Sequence, residues 1–474
     1  MKQSKLKITD VIVFIFTLVL LGLQGCRIFE GTFKSDDWEH LASAWFIFNG
    51  YVPYLDYFQH HNPAWWYVLS PVFFVVKNPI DSFYVGRIIS FLFFLGYFPC
   101  LWGIIKRLGG NGKVFLYTVA VYLSYPMSHM AYFQNRPDTP MIFFLLLGAY
   151  YWIKFYQEKH LKDIFICYLS FFISFAFLQK AVWILGPFGL YQVYLLYKKE
   201  LRLKDVLIAS VVPVLSMICY AVYLYANGML LRYWELNYIL NAHFFRDYRM
   251  YTIAIYDWIY GGLAVALIAY GLVKYHGLKR QLLCVLAGFM VIFLSVPKPY
   301  DYYWFIWTPF MSVVIGFWVL KIKHAFLRLE FLVPAFLTCI LIFMRANMGG
   351  YISLDEMKHL TRIKTNDDEM ITYGIPEGAL FQNKPEHYYY MNLSRAAIWD
   401  RDLFHRYELP DWDGYIYKNK PKFIIQTTVF NMKEKPDWVG NEKLMGLDDA
   451  FLEKYYRLLY NKAPRIWERK ELIQ

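Results

Sequence analysis

The run Val11-Ile12-Val13-Phe14-Ile15-Phe16-Thr17-Leu18-Val19-Leu20-Leu21-Gly22-Leu23 carries no charge and a single hydroxyl. A helix on the surface of a soluble protein breaks its apolar stripe with polar residues at every turn. This run does not, and with its flanks it approaches the roughly 20 residues that cross the hydrocarbon core of a bilayer. Working outward from it, five further runs have the same character: Ile88 to Ile105, Met141 to Ile153, Val206 to Tyr225, Leu282 to Val296 and Phe331 to Met344. The chain has 474 residues, 58% hydrophobic and 18% charged. Soluble domains carry about 25% charged residues. The expected fold is therefore a polytopic α-helical membrane protein.

About eleven transmembrane helices are expected, at residues 9–27, 82–105, 113–130, 139–156, 164–179, 182–197, 206–226, 253–274, 281–296, 304–320 and 329–345. The segments 164–179 and 182–197 are joined only by Lys180 and Ala181, so a single broken hairpin is an alternative there. Residues 63–77 are apolar but short and interrupted by Pro71, which suits an interfacial helix rather than a span. Leu23-Gln24-Gly25-Cys26 has the look of a lipoprotein cleavage box, but with ten more spans behind it a retained first helix is the preferred reading.

The net charge of +12 would point a soluble protein toward nucleic acid. Its distribution excludes that partner. From residue 346 onward there are 19 basic and 20 acidic residues, so the excess, 30 against 17, lies in residues 1–345. With a cytoplasmic amino terminus, the inner segments hold 19 basic residues and the longer outer segments 9, as the positive-inside rule requires. This orientation places the loops 28–81 and 227–252 and the tail 346–474 outside the cytoplasm of a plasma-membrane protein. Two domains are expected: a membrane module of residues 1–345 and a small α/β or α+β extracytoplasmic domain of residues 346–474. The six cysteines lie in or beside apolar runs at spacings that suit neither a metal nor a redox pair, so no disulfide framework is expected.

The first outer loop is rich in acids. It reads Ser35-Asp36-Asp37-Trp38-Glu39-His40, then Gly50-Tyr51-Val52-Pro53-Tyr54-Leu55-Asp56-Tyr57-Phe58-Gln59-His60-His61-Asn62-Pro63. After Asp36, Trp38, Leu41, Trp45 and Phe48 recur at helical spacing, which predicts a short amphipathic juxtamembrane helix with carboxylates at its amino end. Two readings of Asp36, Asp37 and Glu39 stand side by side. In one, Ser35 or Asp36 caps the helix and Glu39 completes a capping box. In the other, a carboxylate is general base toward an acceptor hydroxyl at the membrane surface. A sugar on a lipid phosphate suits a single base, because phosphate departs without taking up a proton.

Cations at the same membrane face would hold that phosphate. Arg87 lies one turn into the second span, Arg136 and Asp138 fall in Gln134-Asn135-Arg136-Pro137-Asp138, Lys180 sits in its tight turn, and Lys298 precedes Asp301 and Tyr302. Ionisable groups at membrane depth pair or line cavities and are site candidates by default; snorkelling and structural ion pairing are the competing reading. Asp56, His60, His61 and Tyr302 are candidate acceptor or sugar contacts. A divalent metal at His60 and His61 is left open, since adjacent histidines in a strand-like stretch point apart. Trp65, Trp66, Trp304 and Trp307 suit an interfacial belt. With no Walker loop, dinucleotide fingerprint or nucleophile elbow, a nucleotide donor lacks support.

The stretches Ser35 to His40, Gly50 to Asp56, His61-Asn62-Pro63 and Asn135-Arg136-Pro137-Asp138 resemble the GT-C membrane glycosyltransferases. They are most similar to the bacterial branch of protein O-mannosyltransferase-like, lipid A aminoarabinose transferase-like and rhizobial core galacturonosyltransferase-like enzymes. The resemblance covers residues 1 to about 345. It implies a polyprenyl-phosphate-sugar donor, an outer-face active site and an inverting transfer with Asp36 or Asp37 as base and Glu39 nearby. Arg136 and Asp138 match the second-loop motif. Lys180 matches a lysine at the end of the fifth span, although the usual Lys-Gly-Pro is Lys180-Ala181-Val182 here. The acceptor would be a lipid, glycan or protein. A lipid-linked glycan transporter or flippase is the rival class; ionisable residues gathered on one side, rather than through mid-membrane, favour the enzyme.

Overall fold

The computed structural model describes residues 7–29, 32–33, 35–76, 78–125, 134–240, 255–295, 305–322, the single positions 324, 328, 332, 336, 337, 340 and 358, and residues 352–353, 370–373, 412–426, 449–460 and 465–470. The chain divides into two compact units, one of residues 1–29, 87–222 and 249–348, the other of residues 30–86, 223–248 and 349–474.

In the first unit the apolar run that opened the sequence is α1 (Ile8–Arg27). Its start is fixed by Asp10, whose carboxylate accepts the Lys7 N–H at 3.0 Å. The same carboxylate accepts from Lys113 Nζ at 2.7 Å and from the Tyr117 hydroxyl at 3.1 Å. A buried acid is thus matched by a cation and a phenol on a neighbouring helix, which offsets its desolvation. Among the described residues two further helical stretches are long and apolar enough to cross a membrane, Ile80–Arg107 and Leu203–Ala226.

Helices coincide with ten of the eleven expected segments. After α1 come, in this numbering, α2 (Ser35–Phe48), α3 (Ala64–Leu69), α4 (Val72–Val75), α5 (Pro79–Leu95), α6 (Tyr97–Arg107), α7 (Gly112–Leu123), α8 (Asp138–Glu158), α9 (Leu161–Phe177), α10 (Val182–Tyr197), α11 (Leu203–Ala226), α12 (Leu230–Trp234), α13 (Ile255–Lys274), α14 (Gly277–Ser295) and α15 (Thr308–Val319). The eleventh segment, 329–345, falls almost wholly outside the described residues. The five described cysteines are free.

Small residues set the closest helix approaches. A Cβ at Gly148 of α8 would overlap the Phe171 ring of α9, and one at Gly316 of α15 would overlap Thr118 of α7. Lipid tails are as apolar as leucine, so helices in a membrane gain most from such close packing. Ser174 donates to the Met141 carbonyl at 2.8 Å and fixes α9 against the start of α8.

In the second unit the loop of residues 28–81 supplies α2, α3 and α4. The α2 helix begins at Ser35, so Ser35 and Asp36 are its first helical residues rather than its cap. The expected one-sided amphipathic pattern is only partly realised. Trp38 and Leu41 are buried, but so are Asp37, His40 and Ser43, while Phe48 packs against Phe74 with ring centroids 5.0 Å apart. A two-residue strand of this loop, β1 (Thr32–Phe33), pairs antiparallel with β2 (Ile352–Ser353). The tail adds α16 (Trp412–Asn419), α17 (Asp449–Tyr455) and a four-stranded sheet, β3 (Met370–Tyr373), β4 (Phe423–Gln426), β5 (Tyr456–Tyr460) and β6 (Arg465–Arg469), in the order β3-β4-β6-β5. The β3–β4 pair is parallel and the other two are antiparallel. Ile416, Ile424, Leu452, Tyr456 and Trp467 form its core.

Candidate active site

The second unit carries the acidic and histidine side chains. Asp37 is fully buried on the first turn of α2, next to Trp38, whose ring packs 4.8 Å from that of Phe83. Glu39 is half-buried, and its carboxylate lies 3.8 Å from His60 Nδ1. The side chain of Asp36 lies outside the described residues.

His60 and His61 do not point apart. Their ring centroids are 4.0 Å apart, and ligand atoms of Glu39, His60 and His61 all lie within 4.8 Å of one another. Strand alternation fails here because the preceding residues form a tight turn. Tyr54 adopts φ of 66°, its N–H donates to the Tyr57 carbonyl at 3.0 Å, and no strand runs through residues 58–62. The turn is built from side chains that sequence reasoning passed over. The buried Tyr54 hydroxyl donates to the His61 carbonyl at 2.6 Å. Tyr233 donates to Asn62 Oδ1 at 2.8 Å, and Gln59 Nε2 to Ser43 Oγ at 2.6 Å. Burial, then the neighbouring Tyr233, pushes the Tyr54 phenol well above its ordinary range, so it stays a donor. His40 accepts at Nδ1 from the Trp66 indole N–H at 2.9 Å and lies with its ring 5.4 Å from that of His61. Asp56 is exposed and accepts the Val52 N–H at 2.6 Å, which closes its own turn.

The first unit carries the cations. Asp138 is the first residue of α8, where its negative charge favours the helix dipole. Arg136 Nε donates to Asp138 Oδ2 at 3.1 Å, and Lys180 Nζ lies 3.7 Å from Asp138 Oδ1. Two cations separated by 44 positions in the chain therefore share one carboxylate in a mostly buried cluster. Lys180 reaches it because α9 ends at Phe177 and residues Gln179–Ala181 form a 3-10 turn before α10. The broken hairpin is thus two helices, with the lysine at the break. Arg87 is fully buried; its guanidinium donates to the carbonyl of Ile28 at 3.3 Å and, more weakly, to that of Arg27 at 3.5 Å. Lys298 and Tyr302 lie outside the described residues.

Residues 60–226 match the model of the family described as dolichyl-phosphate-mannose-protein mannosyltransferase. None of the curated proteins matches the chain in sequence. In three dimensions the chain is similar to ArnT from Cupriavidus metallidurans bound to undecaprenyl phosphate, with 10% identity, 98% of each chain covered and a TM-score of 0.63. It is also similar to the oligosaccharyltransferase of Archaeoglobus fulgidus in the apo form, with 11% identity, 98% of this chain and 74% of that one covered, and a TM-score of 0.53. At such identities a structural likeness carries the fold, and the family match over residues 60–226 carries the kind of enzyme. Both agree with what the first-loop and second-loop motifs imply: residues 60–226 match the model of a glycosyltransferase family, and the chain as a whole has the fold of ArnT and of the archaeal oligosaccharyltransferase.

Proposed function

We propose that the protein transfers one sugar from a polyprenyl phosphate to an acceptor hydroxyl on the extracytoplasmic face of the plasma membrane, with inversion at the anomeric carbon. The amino terminus is cytoplasmic, residues 1–345 form the membrane catalytic module, and residues 346–474 form an extracytoplasmic domain. The acceptor oxygen forms the new bond to the anomeric carbon as the bond to the phosphate oxygen breaks. The acceptor proton passes to Asp36 or Asp37, with Glu39 beside them, and polyprenyl phosphate leaves with the bonding electrons. Arg136 and Lys180 hold the departing phosphate, assisted by Arg87 and Lys298, while Asp138 sets their spacing. Asp56 and Tyr302 contact the acceptor or sugar.

The observation that carries this reading is the shared Asp138 carboxylate, which holds two cations in one mostly buried cluster. Such fixed cations stabilise charge that develops on a leaving phosphate without reorganising at the moment of reaction. The ArnT neighbour holds undecaprenyl phosphate, which supports a lipid phosphate as the ligand here. The test supplies purified protein with radiolabelled polyprenyl-phosphate sugars and a panel of lipid, glycan and peptide acceptors. Transfer by the wild type that is lost in the Asp36→Asn, Asp37→Asn double variant supports the proposal. Translocation of the lipid across vesicles without transfer would favour a flippase instead.

A further inference from the structure

We propose that Lys274, Lys279 and Lys321, with the phenols of Tyr270 and Tyr275, bind the phosphate headgroup of an anionic membrane lipid where α13 meets α14 beside the end of α15.

All five side chains belong to the first unit. Their charge is one that the fold does not cancel. On the other loops expected at the cytoplasmic face, basic residues are matched by acids: Arg107 meets Glu158 at 2.8 Å, Lys113 meets Asp10 at 2.7 Å, Lys154 meets Asp163 at 2.9 Å and Arg202 meets Asp205 at 2.7 Å. Lys274, Lys279 and Lys321 have no carboxylate partner among the described residues, and the sequence carries no Asp or Glu from 258 to 300 or from 302 to 329.

The three lysines lie on aromatic side chains instead. Lys274 Nζ donates to the Tyr270 hydroxyl at 2.7 Å, and Lys321 Nζ donates to the Tyr275 hydroxyl. Lys279 Nζ is 4.7 Å from the centre of the Phe317 ring and 5.7 Å from that of Tyr275, which Lys321 Nζ approaches at 4.6 Å. Two ammonium groups thus converge on one ring. Each phenol oxygen accepts from a lysine and keeps its own O–H to donate, and neither O–H finds an acceptor among the described residues. The cluster therefore offers donors only. A phosphate, whose free oxygens all accept, answers that inventory, and its charge strengthens each bond.

The backbone holds these groups together. A Cβ at Gly271 of α13 would overlap Leu283 of α14, so the two helices nearly touch beside the site. The turn between them closes through the Tyr275 N–H on the Gly271 carbonyl at 2.8 Å and the left-handed Gly277, with φ of 60°. Lys321 follows α15 directly, its N–H on the Trp318 carbonyl at 2.8 Å. A lipid fits better than a soluble phosphate because Val265, Tyr270 and Val273 are exposed along α13. Acyl chains can lie on that face while the headgroup meets the lysines, as in other basic pockets between helix ends.

The test uses full-length protein purified in detergent and stripped of lipid, with phosphatidylglycerol, cardiolipin and phosphatidylcholine as separate probes. Bound lipid is counted by native mass spectrometry. The assay needs no sugar transfer, so its outcome is separate from that of the enzymatic reading. The expected result is one phosphatidylglycerol or cardiolipin per chain at concentrations where phosphatidylcholine is not retained. A Lys274→Gln, Lys279→Gln, Lys321→Gln triple variant should weaken binding at least about tenfold, since each lysine near a lipid phosphate is worth roughly fivefold. A Lys106→Gln, Lys198→Gln, Lys199→Gln variant removes the same charge at other helix ends and should stay within about threefold of wild type. Tyr270→Phe, Tyr275→Phe keeps every charge and both rings, should weaken binding about threefold or more, and keeps the test decisive if the lysine variant fails to fold. Equal retention of phosphatidylcholine, equal losses in the two lysine variants, or wild-type affinity in the folded Lys274/Lys279/Lys321 or tyrosine variant would each overturn the proposal. So would displacement by inorganic phosphate or glycerol phosphate at the lipid's own concentration, which would mark a soluble phosphate as the ligand.

Discussion

Lys180 Nζ stands 3.7 Å from Asp138 Oδ1, although the two residues are separated by the whole of α8 and α9. The Ser174 hydroxyl on the Met141 carbonyl and the Gly148 contact with Phe171 hold this hairpin together, so the ion pair is set by helix packing as much as by charge. Removing one cation should cost catalysis, since a fixed donor to developing charge is worth about 10²- to 10³-fold in rate. Lys180→Ala and Arg136→Ala are each expected to lower kcat by roughly that factor in a transfer assay with the donor saturating.

Replacing the shared acid has a different signature. Asp138→Asn removes the carboxylate that Arg136 and Lys180 share, and breaking a buried pair of this kind costs about 3–5 kcal/mol. The expected outcome is a clear fall in the unfolding temperature of the detergent-solubilised protein, measured beside Lys180→Ala, which should fall less.

The base assignment separates by its effect on binding. General bases contribute about 10²- to 10⁴-fold. Whichever of Asp36→Asn and Asp37→Asn removes the base should lower kcat within that range and leave donor affinity, followed by competition with a labelled polyprenyl phosphate, within about twofold of wild type.

Tyr54 gives a pH-dependent prediction. Its hydroxyl bonds the His61 carbonyl, so Tyr54→Phe should cost about 1 kcal/mol at neutral pH. Burial raises the folded-state phenol pKa above the ordinary value of 10.0. A raised pKa means that the stability tied to the protonated form is complete below pH 10 and is lost as pH rises further. The difference in unfolding free energy between wild type and Tyr54→Phe should therefore shrink above about pH 10, a trend that denaturant titrations at pH 8 and 10.5 would show.

Gly148 and Gly316 sit where helices nearly touch. Valine at either position forces α8 from α9 or α15 from α7, and overpacking of this kind costs about 1–3 kcal/mol. Thermal unfolding should register it, whereas alanine at Gly112, which has open space around it, should be neutral or mildly stabilising.

Much of the helical layout was legible in the sequence because a bilayer imposes a simple rule: about 20 apolar residues for each crossing. Val11 to Leu23 became α1 for that reason. The run Ile80–Arg107 was legible for the same reason: α5 passes into α6 through Gly96, whose backbone stays right-handed and whose N–H bonds the Leu92 carbonyl at 3.1 Å. Arg136, Asp138 and Lys180 could be singled out as charges in costly places, and the structure brings those three together. The histidines could not be placed. Their orientation follows from the left-handed backbone of Tyr54, a conformation seldom taken by residues other than glycine and asparagine, and from a tyrosine 171 positions away that holds Asn62. The pairing of β1 with β2 was equally hidden, because two-residue strands carry no periodicity to read.

The strand order β3-β4-β6-β5 has a bearing on how the tail is made. The β6 strand, residues Arg465–Arg469, lies inside the sheet between β4 and β5, and Trp467 of that strand completes the core. A ribosome that has delivered β3, β4 and β5 has therefore delivered a sheet with its middle missing. The sheet stays open, with the facing edges of β4 and β5 unpaired, until residue 469 has been added. The sheet thus cannot close in the order in which its strands are made: β4 and β5 must wait for the strand that follows them both in the chain.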